Sequence, residues 1–174
     1  MVTIKSKREI ELMKKACKVV ALTYQELEKH IKPGISTWEL DQIAEKTMRS
    51  LGAIPAEKGY DSGIRGIPKF PASICVSIND EVIHGIPSKT RFLKEGDIVS
   101  IDTVALKDGY NGDAARTFVV GKTTKENQRL IDVTKQAFFE GIKYAKPGNR
   151  IGDVCHAIGE YVHSQGFSVV REFQ

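Results

Sequence analysis

The tightest local constraint in the chain is a turn. The stretch "SIDTVALKDGYNGDAARTF", residues 100–118, reads as two strands joined at Asp108-Gly109. An Asp-Gly pair between apolar runs is a strong short-range signal for a hairpin, because both central positions of that turn need a positive φ. The turn fixes the register. Lys107 then faces Tyr110, and Val104 faces Asp113. Side chains alternate along a strand, so Asp102 shares a face with Val104 and is a diagonal neighbour of Asp113, about 7–8 Å away at the backbone. Carboxylates are depleted in strands and costly to bury unpaired. Two that converge repel each other, and one proton affinity rises unless a cation lies between them. Mn, Co, Fe, Mg or Zn would accept such oxygens. The spacing alone is also compatible with aspartates facing solvent on a half-exposed sheet, or with one of them paired to Arg116.

The remainder of the chain places helices around this hairpin. Ile10, Met13, Cys17, Val20, Tyr24, Leu27 and Ile31 recur at helical steps and predict a helix over 7–31. "KPG" at 32–34 stops it. "STWE" predicts a capping box, with Ser36 and Glu39 bonded reciprocally at the start of a second helix that ends at Gly52. Residues 53–71 read as loop, "SICVSI" (73–78) as a strand, and "EVIHGIP" (81–87) as a strand entering a loop. A third helix is expected over about 124–145, capped by Thr123 and Glu126. A fourth is expected over about 150–165, with Ile151, Val154, Cys155, Ile158 and Val162 inward. "GFSVVREFQ" begins like another strand.

These elements repeat at an offset of 114 residues. Lys32-Pro33-Gly34 matches Lys146-Pro147-Gly148, Gly52 matches Gly166, and Tyr24 matches Phe138. After the first copy come about seventy residues of loop and strand, and after the second copy come eight. The second copy is therefore expected to lack its sheet, and the open sheet edge and helix faces are expected to cause self-association or disorder near the last ten residues.

Composition narrows the function classes. With 41% apolar and 28% charged residues over 174 positions, the chain has the makeup of one globular domain. No apolar run spans a bilayer, and "MVTIKSKREIELMKK" lacks the apolar core of a secretion signal. Three widely spaced cysteines fit reduced thiols and a cytoplasmic location. Net charge is +4 with the lysines scattered, which argues against a nucleic-acid surface. His84, in "VIHGIP", stands where a strand yields to a Gly-Pro loop, a position suited to contacting substrate. The apolar flanks of Cys75 favour a packed thiol over a nucleophile. His156 and His163 read as surface residues, and His30 as exposed.

"FPASICVSINDEVIHGIP" and "LKEGDIVSIDTVALKDGYNGDAARTFVVG" resemble the type I methionine aminopeptidases, and the resemblance runs from about residue 4 to 174. It implies an α+β pita-bread (creatinase/aminopeptidase-like) fold, an antiparallel sheet covered by helices. The first half would cover about 5–121, and a second pseudo-symmetric half, about 122–174, would be incomplete. It implies removal of the initiator methionine by hydrolysis at two divalent metal ions (Mn, Co, Fe, Zn or Mg) that activate a bridging water. Asp102 and Asp113 match metal ligands, His84 a substrate-contacting catalytic histidine, and Phe70 and Cys75 the methionine side-chain pocket. The implied partners are N-terminal methionine of peptides or nascent proteins, with ribosome proximity, and neither membrane nor specific nucleic acid. The family's other ligands, one His and two Glu, would follow "SVVREF", so a chain truncated there is expected to hold metal weakly and to be inactive alone. "KGYDSGIRGIPKFPAS" is longer than the family's usual pocket loop. The alternative function is a non-catalytic pita-bread module that binds a protein or ribosomal partner.

Overall fold

The structure is a computed structural model that describes residues 3–170. It comprises two compact units, Met1–Lys122 and Thr123–Gln174. None of its described helices is long and apolar enough to cross a membrane.

The first unit is built on the predicted hairpin. Strands β3 (Ile98–Lys107) and β4 (Tyr110–Val119) pair antiparallel along their whole length, with Lys107 opposite Tyr110 and Val104 opposite Asp113. Asp108 and Gly109 both have positive φ, 52° and 84°, as the turn requires. The other edge of β3 is shared end to end by two short strands. Residues Ile54–Pro55 (β1) pair with Leu106 and Ala105, and Cys75–Ile78 (β2) pair with Asp102 to Val99.

Helices α1 (Lys7–Glu28) and α2 (Thr37–Ser50) cover one face of this sheet. Val99, Ile101 and Ala105 of β3 meet Val20, Tyr24, Leu27, Leu40 and Met48 in a single apolar core. Burial alternates strictly along β3, so the residues between them, including Asp102, lie on the face turned away from the helices. Ser36 caps α2 by the predicted box: its Oγ accepts from the Glu39 amide at 3.1 Å, and its own amide donates to Glu39 at 2.9 Å. Ser6 and Glu9 form the same box on α1, which the sequence reading did not identify.

Several expectations are corrected. Helix α1 ends at Glu28 rather than 31, and its buried stripe runs through Ala16, Val19, Val20, Thr23, Tyr24 and Leu27. Ile10 and Cys17 are exposed because the stripe is rotated toward β4. There Gly112 brings the strand against the helix backbone, and a Cβ on it would lie 2.5 Å from the Ala16 carbonyl carbon. Residues 81–87 form no strand. His84 has a φ of 58° and Asn79 a φ of 56°, conformations that break an extended run. The segment is instead tied to β2 by single bonds, Val76 amide to Gly85 carbonyl at 2.8 Å and Gly85 amide to Ser77 Oγ at 3.2 Å. The short strand β1 lies inside the region read as loop.

The second unit is a helix pair, α3 (Lys125–Ile142) and α4 (Ile151–Ser164). The cap of α3 is Thr124, whose Oγ1 accepts from the Asn127 amide at 3.1 Å, and not a Thr123/Glu126 box. Few residues of the pair are buried, Val133, Ala137 and Gly141 on α3 and Val162 on α4, and Gly141 is where the helices meet closely, since a Cβ on it would run into Ile158 Cγ1. Ile151 is 79% exposed and Cys155 is exposed as well, against the inward stripe expected of them. Both ends of α2 and α4 are related by the same 114-residue offset, as are the C-terminal ends of α1 and α3. The glycines that close the corresponding turns share positive φ: Gly34 and Gly148 at 89° and 94°, Gly52 and Gly166 at 71° and 75°. Residues 167–170 form no strand, and the remainder of that expected strand, 171–174, lies outside the described residues.

Candidate active site

The two aspartates lie together on the face of the hairpin turned away from α1 and α2. Asp102 pairs with Ala115, and Asp113 with Val104, so they are diagonal neighbours on one face. Asp102 is half-buried and Asp113 exposed. Burial, and then the charge of Asp113, push the Asp102 carboxyl above the ordinary aspartate range. The Thr103 amide and His84 pull the other way. Such a carboxyl gains from a nearby cation. Arg116 is not that cation, since its guanidinium lies over the Phe118 ring, 5.2 Å from the centroid.

The hairpin is held in place from behind. Tyr24, on α1, brings its hydroxyl to 2.8 Å from the Ile101 carbonyl and 2.6 Å from the Ala114 carbonyl. Those two residues adjoin Asp102 and Asp113. One phenolic proton is shared between two acceptors on the paired strands, so the ring bridges both strands beside the carboxylates.

Strand β2 delivers Cys75 to the same face, directly opposite Asp102 in the register. Its thiol is buried and stays protonated, because burial and the neighbouring carboxyls of Glu57 and Asp102 push its pKa up. The packed-thiol reading therefore fits its surroundings. The start of β2 is fixed by Asp41, a buried residue of α2. Asp41 Oδ1 accepts from the Ser73 amide at 2.6 Å and the Ile74 amide at 3.2 Å. Phe70 is half-buried at the base of the 59–70 loop, which is closed by two bonds, Gly59 amide to Phe70 carbonyl and Phe70 amide to Tyr60 carbonyl, at 2.8 and 2.9 Å. His84 is exposed, near enough to Asp102 to draw its proton affinity down.

Sequence reasoning missed Glu57. It follows β1 and accepts a hydrogen bond from the Cys75 thiol at 3.7 Å on Oε1, while Oε2 is buried with no hydrogen-bond partner. Burial first, and then Asp102, raise its pKa to about 8. No motif marks it, since "AEKG" looks like surface loop. His156 and His163 are exposed, as expected, while His30 is half-buried beside Glu26 at 3.2 Å.

Asp102 and Asp113 offer oxygen donors only, the chemistry suited to a hard or borderline divalent ion. Among the described residues no group of three or more His, Cys, Asp or Glu could hold a metal. These residues therefore fit a metal as two donors of a larger set.

Comparison with known proteins agrees with this geometry. The family model for metallopeptidase family M24 matches residues 11–173. A methionine aminopeptidase from Clostridium acetobutylicum is 51% identical over 173 residues, and methionine aminopeptidase 1 from Bacillus subtilis is 50% identical; each match covers 99% of this chain and 66% of the relative. The crystal structure of methionine aminopeptidase from Rickettsia prowazekii superposes with a TM-score of 0.93 at 38% identity, covering 99% of this chain and 66% of that one. A prolidase from Pyrococcus furiosus gives 0.79 at 25% identity, covering 94% of this chain and 44% of that one. The chain thus spans about two thirds of the length of the curated relatives it matches. The fold is the expected α+β pita-bread architecture, and the family is one of metal-dependent peptidases. On the match over residues 11–173, the chain belongs to metallopeptidase family M24.

Proposed function

We propose that this chain supplies the first-half side of a methionyl aminopeptidase site, which removes N-terminal methionine from peptides and nascent proteins in the cytoplasm. The observation that carries the reading is the diagonal pair Asp102 and Asp113 on the face of the hairpin turned away from α1 and α2, with Cys75 opposite Asp102. Divalent ions of the Mn, Co, Fe, Zn or Mg class, when bound, supply Lewis acidity and an activated water. Asp102 and Asp113 hold them. His84, from an exposed loop beside Asp102, donates a hydrogen bond to the substrate carbonyl. Cys75 and Phe70 line the pocket for the first side chain. The two units correspond to the first half and part of the second half of one pseudo-symmetric domain.

The test is a fusion of this chain to the remaining third of the Bacillus subtilis relative. With Mn or Co it should release methionine from a short Met-Ala peptide, and chelator should abolish the release. Asp102→Asn should lower kcat/KM by roughly a thousandfold, the scale of losing an electrostatic element of catalysis. His84→Ala should lower kcat with little change in stability. The 174-residue chain alone should run at background. Full activity with Asp102→Asn would remove the metal-ligand assignment.

A further inference from the structure

Strand β4 carries Asp113, and among the described residues its one sheet partner is β3. Strand β3 is paired on both edges, with β4 on one side and β1 and β2 on the other, and Cys75 stands directly opposite Asp102. The sheet therefore fixes Asp102 from both sides and Asp113 from one. The Asp108-Gly109 turn decides which residues pair. It does not decide how closely two diagonal side chains approach, because paired strands twist along their length.

Helix α1 restrains β4 at two points that flank Asp113. On one flank, Gly112 lets the strand rest on the helix backbone at Ala16 and Cys17. On the other, the Tyr24 hydroxyl donates to the Ala114 carbonyl at 2.6 Å. The same hydroxyl lies 2.8 Å from the carbonyl of Ile101, the residue before Asp102. Tyr24 is buried, and its ring packs on Phe118 of β4 with centroids 6.1 Å apart. Close packing holds the hydroxyl where both strands reach it. A phenylalanine would fill the same core volume, so the apolar core by itself has no need of the hydroxyl.

We infer that Tyr24 is a positioning residue for the metal ligands: its hydroxyl sets the separation of Asp113 from Asp102, and with it the affinity of the pair for a divalent cation. This rests on the reading that the two aspartates hold metal. Outer groups that orient metal ligands are worth roughly ten- to a hundredfold in affinity. Tyr24 acts one step further out, through the backbone beside each ligand, so the low end of that span, about tenfold, is expected.

The test uses the 174-residue chain with Mn alone as the probe, and follows paramagnetic broadening of the Asp102 and Asp113 amides by NMR. Two donors bind weakly, so Mn is carried to millimolar concentrations. The wild-type chain should show saturable broadening at both amides, lost in Asp102→Asn. Tyr24→Phe keeps the ring and should raise the Mn concentration for half-broadening about tenfold. p-Aminophenylalanine at position 24 presents one N–H to each carbonyl and should keep the wild-type midpoint, an arm that stands even if Tyr24→Phe fails to fold. Val20→Ala shortens a buried side chain on the same helix, and should lower stability to urea while leaving the Mn midpoint unchanged. An unchanged midpoint in Tyr24→Phe overturns the inference, as do a weakened midpoint with p-aminophenylalanine or a shift in Val20→Ala as large as in Tyr24→Phe. The two readings fail separately. Broadening that depends on Asp102 but not on Tyr24 leaves the metal assignment standing and removes this inference, whereas no Asp102-dependent broadening in the wild-type chain removes both.

Discussion

Asp41→Ala should destabilise the first unit and loosen the start of β2. Asp41 is buried on α2, and its Oδ1 is the acceptor for two consecutive backbone amides, Ser73 and Ile74, at 2.6 and 3.2 Å. Those amides precede Cys75, where ladder pairing with β3 begins. Truncation to Ala leaves both donors in a buried site without their acceptor, at about 1–3 kcal/mol each. Part of that is offset, because burial pushes the Asp41 carboxyl up and shows that its charge is incompletely compensated. A net loss of about 2–4 kcal/mol follows. For a unit of this size that corresponds to roughly 10 °C in Tm. The sole tryptophan, Trp38, lies on α2, so its fluorescence during urea denaturation reports this unit directly. Asp41→Asn retains a carbonyl acceptor for the two amides and removes the charge, and should cost under about 1 kcal/mol. Cys75, freed from a fixed strand start, should be alkylated faster in the Ala variant. A change within about 0.5 kcal/mol for Asp41→Ala, the range of an ordinary surface substitution, would refute the reasoning. So would an Asn variant as damaged as the Ala variant.

Two further outcomes follow from the same structure. Glu57 has a folded pKa of about 8, above its unfolded value of 4.5, so the native state binds the extra proton and stability should fall as pH rises from about 4.5 to 8; in Glu57→Gln the urea midpoint should lose that slope, and an unchanged slope would contradict the assignment. Gly112→Ala places a Cβ 2.5 Å from the Ala16 carbonyl carbon and the Cys17 amide nitrogen, both backbone atoms of α1, and should cost about 2–3 kcal/mol in urea unfolding, since neither atom can swing aside.

The hairpin was legible because its information is local. An Asp-Gly turn demands two positive φ values, and once the turn is set a period-two strand leaves no freedom in which residues face one another. The Ser36 box on α2 and the 114-residue offset were legible for the same reason, since caps and closing glycines are fixed by near neighbours. The failures fall where distant parts of the chain decide. Apolar spacing in α1 gave a stripe through Ile10 and Cys17, but the buried face is set by where Gly112 lets β4 approach, about a hundred residues away. Residues 81–87 have strand composition, yet His84 within them, like Asn79 just before them, adopts the left-handed conformation. Glu57 was illegible for a related reason. Its surroundings are assembled from β1, β2 and β3, and nothing in "AEKG" records that.

The arrangement also explains how carboxylates persist on a strand that is apolar elsewhere. Along β3 the residues that face the helices are Val99, Ile101, Thr103 and Ala105, all buried, and that face excludes an unpaired charge. Asp102 occupies the alternate positions, which remain half-exposed because α1 and α2 cover only one side of the sheet. The cost is moderated there in three ways: by residual solvent contact, by the Thr103 amide and by His84. It is not removed, since burial and Asp113 still hold the proton affinity of Asp102 up. A sheet with helices on both faces would have to exclude both aspartates, and one with no helices would expose Asp102 fully and remove the burial that holds its proton affinity up. Covering a single face leaves Asp102 between these limits, dry enough to feel the charge of Asp113 and open enough to accept a cation. Tyr24 links the two requirements: its ring is part of the apolar core, and its hydroxyl ties together the strands that carry Asp102 and Asp113.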